Sequence, residues 1–183
     1  MDPIIILLNF MDTYYTIEEK YLQAVDELSY GETPKALQLL NEIIRNDALY
    51  ARAHYQLGKI YYYDVKEYQT AGYHFKTCID LEPNFPDIYF HYLSLVVFLN
   101  MERQVNTIVA KALDTPGVNI AAIYELQGLF SEKNKNWIQS LNAYSKALGE
   151  VTGKDHKENI EESLKRVKAK MHQGRTYRYH FIE

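Results

Sequence analysis

The feature that most constrains this chain is a set of columns of small and apolar residues that returns every 34–35 positions. Ala36, Ala71, Val105 and Ser140 stand 35, 34 and 35 residues apart. Leu40, Phe75, Val109 and Tyr144 keep the same steps, as do Ile43, Cys78, Ala112 and Ala147. Within each set the spacing is four and then three, which is one face of a helix. A second family of columns steps by 35: His54, Tyr89 and Tyr124, with Gly58, Leu93 and Gly128 beside them. A period of this length, helical in both halves, specifies hairpins of two helices that repeat along the chain.

Helix-end signals fit that frame. Thr16-Ile17-Glu18-Glu19 reads as a capping box. Thr33-Pro34 reads as an N-cap followed by proline at the first helical position. Asp47 is placed to cap the next helix, and Pro83 and Pro86 bracket a corner. The pattern predicts helices near 17–30, 34–45, 49–63, 67–80, 86–99, 102–113, 119–132 and 136–149. A further apolar helix is expected over 3–11, and a charged one near 156–172 closes the array, since each repeat leaves an apolar face to cover.

These residues carry a resemblance. The stretch His54–Tyr63 with Ala71–Pro83 is similar to a tetratricopeptide repeat through Leu57-Gly58, Tyr61, Ala71, Phe75, Cys78 and Pro83, with one extra residue in the turn. Residues 124–148 match through Tyr124, Gly128, Trp137, Tyr144 and Ala147. The first and third copies are degenerate: Leu93 and Val105 replace the small residues, and Ala24 or Val25 takes the glycine's place. The resemblance covers roughly residues 17–149. It implies an all-α, right-handed superhelix of antiparallel helix pairs, with repeats near 17–48, 49–84, 86–117 and 120–149. Capping segments would lie over 1–15 and 150–183. It also explains Gly58, which costs a helix roughly 1 kcal/mol against alanine. The paired helices cross there, and Ala71 is expected to fill the space, with Tyr61 and Phe75 beside it.

In that family the first helix of each pair lines a concave surface. Carried over by register, the groove would present Tyr55, Gln56, Lys59, Tyr62 and Tyr63, then Phe90, His91, Ser94, Val97 and Phe98, then Glu125, Leu126, Leu129 and Lys133. Leu22, Gln23, Asp26 and Tyr30 hold the matching places in the first repeat. The family's carboxylate clamp for chaperone tails is missing, because its positions hold Leu22, Asp26, Gln56, Phe90 and His91. The implied ligand is an apolar or amphipathic segment of a protein partner. A dedicated chaperone for a secreted or membrane-inserting partner is the alternative, as is a structural homo-oligomer.

Other readings have little to stand on. No phosphate-cradling glycine loop, HExxH, nucleophile elbow or paired-cysteine motif occurs, so neither catalysis nor a cofactor nor a metal is expected. His54 replaces a packing aromatic, His74 is expected on an outer face, and His91 in the groove. Cys78, the single cysteine, sits in a packing column and suits a reducing, cytoplasmic setting. Residues 1–153 carry a formal charge of -7 and residues 154–183 carry +3, so nucleic acid is not an expected partner. The apolar run Ile4–Phe10 lacks a cationic flank and is too short to span a bilayer. It reads as a cap on the first repeat, or as a segment that seals a homodimer or lies in a groove of its own or a neighbouring chain. The tail over 175–183 alternates aromatic and basic residues, and either stays unpacked, serves as a short recognition peptide or returns to the array.

Overall fold

The computed structural model describes residues 16–173. The expected helix over 3–11, the Ile4–Phe10 run and the tail over 175–183 lie outside the described residues. Among the described residues there are nine α-helices and no strand. They are α1 (Ile17–Ser29), α2 (Thr33–Asn46), α3 (Ala51–Ile60), α4 (Tyr68–Leu81), α5 (Asp87–Phe98), α6 (Glu102–Asp114), α7 (Ile120–Lys133), α8 (Trp137–Glu150) and α9 (Lys154–Gln173). They fall into two units, Met1–Leu81 and Glu82–Glu183. In unit 1 each helix packs on the next in chain order. Unit 2 does the same, and α5 also packs on α7, so first helices of successive pairs lie side by side.

The turn inside every pair repeats as faithfully as the helix faces. Gly31, Lys66, Asn100 and Lys135 take positive φ of 81°, 65°, 57° and 59°, and their spacing is again 35, 34 and 35. Three of them are not glycine, so each carries a strain of roughly 1–2 kcal/mol that the flanking helices must hold. From Gly58 to Lys66 the chain takes one step more than from Leu93 to Asn100 or from Gly128 to Lys135. The extra residue expected in the turn is taken up earlier, by a π-helical turn at Tyr61–Val65 that continues α3.

In two of the four pairs the helices cross with a glycine against an aromatic ring. A β-carbon built on Gly58 would stand 2.5 Å from Phe75 Cε1, and one on Gly128 2.8 Å from Tyr144 Cδ1. The nearest neighbour of Gly58 is therefore the Phe75 ring and not Ala71, which is itself fully buried. In the first repeat the column falls on Ala24, fully buried, while Val25 is only half-buried.

Two caps differ from expectation. The cap position of α2 is Glu32 and Thr33 is already helical, because the left-handed turn at Gly31 starts the helix a residue earlier. Asp47 does not cap α3 but ends α2, its N–H donating to the Ile43 carbonyl; its Oδ1 accepts from Leu49 N at 2.9 Å within the loop, and Tyr50 stands at the cap of α3. Thr16 does form its capping box with Glu19, Thr16 N donating to Glu19 Oε2 at 2.7 Å. Asn119 adds a cap the pattern did not flag, accepting from Ala122 N at 3.1 Å.

Each unit has its own apolar cluster. In unit 1, Ala24, Leu40, Ile43, Ala53, Leu57 and Ile60 are buried, with Tyr21 and Leu28 packed on them. In unit 2, Ile160 and Val167 of α9 are fully buried with Tyr144 and Ala147 of α8, roughly 1.5–3 kcal/mol for each such aliphatic side chain. A charged clamp reinforces α9. Glu132, near the end of α7 and 7 % exposed, accepts from Arg166 Nε and Nη2 at 2.9 and 2.8 Å, from Lys170 Nζ at 2.7 Å and from the Tyr144 hydroxyl at 3.1 Å. The Arg166 bonds, aided by Lys170, outweigh burial and hold the Glu132 carboxyl down to about 2.

Candidate functional site

In unit 1 the outer end of α3 faces the end of α1 across a cleft of about 340 Å³. Gln56, Lys59, Ile60, Tyr63 and Asp64 form one wall, and Leu28, Gly31 and Thr33 the other. Gln56, Lys59, Ile60 and Tyr63 fall at i, i+3, i+4 and i+7, one helical face, and the π turn carries Asp64 onto the same wall. Tyr63 lies against Tyr62, with ring centroids 4.4 Å apart, and burial together with the Tyr62 phenol pushes its hydroxyl up to about 12. It is a neutral donor at any ordinary pH. Tyr62 turns inward, edge-on to Phe75 at 6.5 Å and to Tyr68 at 6.1 Å.

In unit 2, Phe90 and Phe98 of α5 and Leu129 of α7 are exposed by 40, 51 and 39 %, while His91 and Leu126 are half-buried. The Phe90 and His91 rings meet edge to face at 5.4 Å. Two neighbouring polar positions are engaged. Glu125 Oε2 lies 2.7 Å from His156 Nε2 of α9. Lys133 Nζ donates to the carbonyls of Val97 and Phe98 at 2.9 and 3.1 Å.

Three of the residues expected in an open groove are buried instead. Tyr55 carries the Lys59 ammonium over its ring, 5.1 Å from the centroid. Gln56 donates from Nε2 to the Tyr21 hydroxyl at 3.3 Å, a contact between α3 and α1 that takes its amide out of solvent. Val97 is 3 % exposed, its carbonyl capped by Lys133. Burial keeps most of the surface of these three from solvent.

His74 also departs from expectation: it is buried, not on an outer face. Its Nδ1 lies 2.9 Å from His54 Nδ1, and its ring stacks on Tyr61 at 5.6 Å. His54 Nε2 lies 3.0 Å from the Ala48 carbonyl, which can only accept. His54 must therefore carry its proton on Nε2 and accept on Nδ1, leaving His74 to donate from Nδ1. Burial, then the neighbouring His54, lower the His74 pKa to about 4. The signal was present: His74 follows Ala71 by three and precedes Cys78 by four, so it borders the packed face. Among the described residues no cluster of three or more His, Cys, Asp or Glu could hold a metal ion, and Cys78 is fully buried.

No family model and no curated protein matches the sequence. Solved structures do match in fold. MamA from Desulfovibrio magneticus RS-1, residues 41 to the end, superposes with a TM-score of 0.65 at 17 % identity, over 87 % of this chain and 97 % of that one. Another MamA structure gives 0.66 at 14 % identity, over 91 % of this chain and 98 % of that one. PilW, described as a widely conserved type IV pilus biogenesis factor, gives 0.63 at 14 % identity, over 86 and 93 %. The chain has the all-α helical-repeat fold of the tetratricopeptide type.

Proposed function

We propose that the chain is a non-catalytic interaction scaffold that holds an apolar or amphipathic segment of a protein partner against its first helices, α1 and α3 in unit 1 and α5 and α7 in unit 2. The likeness in fold supports a protein-interaction scaffold in general. The observation that carries the finer reading is where large apolar side chains meet solvent. On α5 through α9, three of the four described ones, Phe90, Phe98 and Leu129, stand on first helices, and Ile138 of α8 is the fourth. Exposed aromatic anchors offer contact area with few rotors to freeze. A packed helical scaffold loses little further entropy on binding.

Affinity purification from the native cells with two baits, the parent and Tyr63→Ala/Phe90→Ala, tests this. A partner held by the parent and lost from the variant, with both baits equally folded by circular dichroism, supports the reading. Equal recovery of every partner from both removes it. A homodimer sealed by Ile4–Phe10 is a separate proposal, decided by the mass in solution of a chain lacking residues 1–12. No helix among the described residues is long and apolar enough to cross a membrane. A cytoplasmic setting is part of the proposal and draws only on the lone, buried Cys78.

A further inference from the structure

The same place in the two units is treated in opposite ways. At the end of α5 the chain closes a tight turn, with Asn100 N bonding Val97 O and Met101 N bonding Val96 O. At the end of α1 the register-equivalent bonds recur, Gly31 N to Leu28 O and Glu32 N to Glu27 O. In unit 2 the next first helix then plugs this end. Lys133 donates to the Val97 and Phe98 carbonyls, and Asn100 and Asn134 pair through their amides at 2.8 and 3.2 Å. In unit 1 no side chain among the described residues donates to the equivalent carbonyls, those of Leu28 and Ser29. Counted from Gly58, the place of Lys133 falls to Tyr63; counted back from the left-handed Lys66, it falls to Asp64. The π turn supplies both residues where unit 2 has one, and the place of Asn100 is taken by Gly31, which has no side chain to pair. What remains is the cleft, at the low end of the range for binding pockets, roughly 300–1,000 Å³.

The chemistry left there is that of a vacated ammonium site. Helix-end carbonyls carry the negative end of the α1 dipole. Asp64 adds a carboxylate that has no ion pair among the described residues, and Leu28, Ile60 and Tyr63 supply an apolar channel beside them. Lys59 also lines the cleft, but its ammonium is stationed over the Tyr55 ring. We infer that the unit 1 cleft binds a lysine or arginine side chain of the protein partner, which takes in trans the place that Lys133 takes in cis in unit 2. This rests on the partner-binding reading above and names what that partner brings. The stem would run along Tyr63 and Leu28, and the cationic head would meet the end of α1 and Asp64.

A random dodecapeptide phage library selected on the full chain tests it. The expected winners contain a basic residue whose replacement by alanine weakens binding at least tenfold. Tyr63→Lys, which hands the cleft a lysine of its own, should weaken the same peptides at least tenfold while leaving the thermal midpoint unchanged or higher. Asp64→Asn should weaken them several-fold. Peptides that bind the parent, Tyr63→Lys and Asp64→Asn alike would overturn the cleft assignment and leave the scaffold reading in place. Peptides without a required basic residue would do the same. A selection that enriches nothing over the Tyr63→Ala/Phe90→Ala chain would overturn both.

Discussion

At the scale of single residues, the same substitution should have opposite signs at two glycines. Gly→Ala within a helix gains roughly 1 kcal/mol of propensity, but at Gly58 the new methyl would meet the Phe75 ring. Overpacking of that kind costs roughly 1–3 kcal/mol, so Gly58→Ala should destabilise. Gly149, in the last turn of α8 with nothing within 4 Å of an added β-carbon, should tolerate alanine and gain roughly 0.5–1 kcal/mol. Urea midpoints of the two variants against the parent check both signs. The buried histidine pair sets a pH dependence. His74 stays neutral in the folded chain down to about 4, whereas an unfolded histidine protonates near 6.5. The unfolded chain takes up that proton first, so the contribution is whole above about 6.5 and is lost as pH falls toward about 4. It is worth at most about 3 kcal/mol. Urea unfolding at pH 7.5 and pH 5 should show the drop, and His74→Phe should flatten most of it. The columns around Ala71, Phe75 and Cys78 were legible because packing repeats. The inward turn of His74 was hinted at by its place on the border of that face, but its partner was not, because His54 lies twenty positions away.

At the scale of elements, helix number and order could be read from periodicity, but the ends were set by chemistry that periodicity does not contain. The left-handed residues at Lys66, Asn100 and Lys135 carry no glycine signal, so only the repeat spacing hints at them. The surplus residue of the second repeat was visible as a count, but a count cannot say whether a loop or a π turn absorbs it. The charged helix α9 was legible as a cap, and the residue that fastens it was not: Glu132 reads as an ordinary surface acid until Arg166 and Lys170 reach it from 34 and 38 positions on. Glu132→Gln keeps the shape and removes the charge. Amide exchange in α9 should then speed up at least tenfold while α5 and α6 keep their rates, measured by mass spectrometry. Because the Glu132 carboxyl is held near 2 against an ordinary 4.5, its contribution is present above about 4.5 and fades as pH falls toward 2. The acceleration in the variant should shrink over that range.

At the scale of the whole molecule, the account joins two kinds of evenness and one asymmetry. Packed apolar columns and left-handed turns recur in step along all four pairs; on α5 through α9, three of the four large apolar side chains left facing solvent stand on first helices, which supports the proposed recognition surface there. The asymmetry is that Lys133 donates to the end of α5 in unit 2, whereas no side chain among the described residues donates to the equivalent end of α1 in unit 1. The positions carried over by register all stand on first helices, at their ends or on the turn that continues α3, but register was a poor guide to which of their side chains are exposed. Tyr55, Gln56 and Val97 are spent on packing, a choice made by depth and hydrogen bonding rather than by spacing. The most direct measurement of the central claim is hydrogen exchange across the whole chain, read with and without the partner captured by the parent bait. Binding should slow exchange in α1, α3, α5 and α7 and leave α2, α4, α6 and α8 at their free rates. Protection concentrated in the second helices would contradict it.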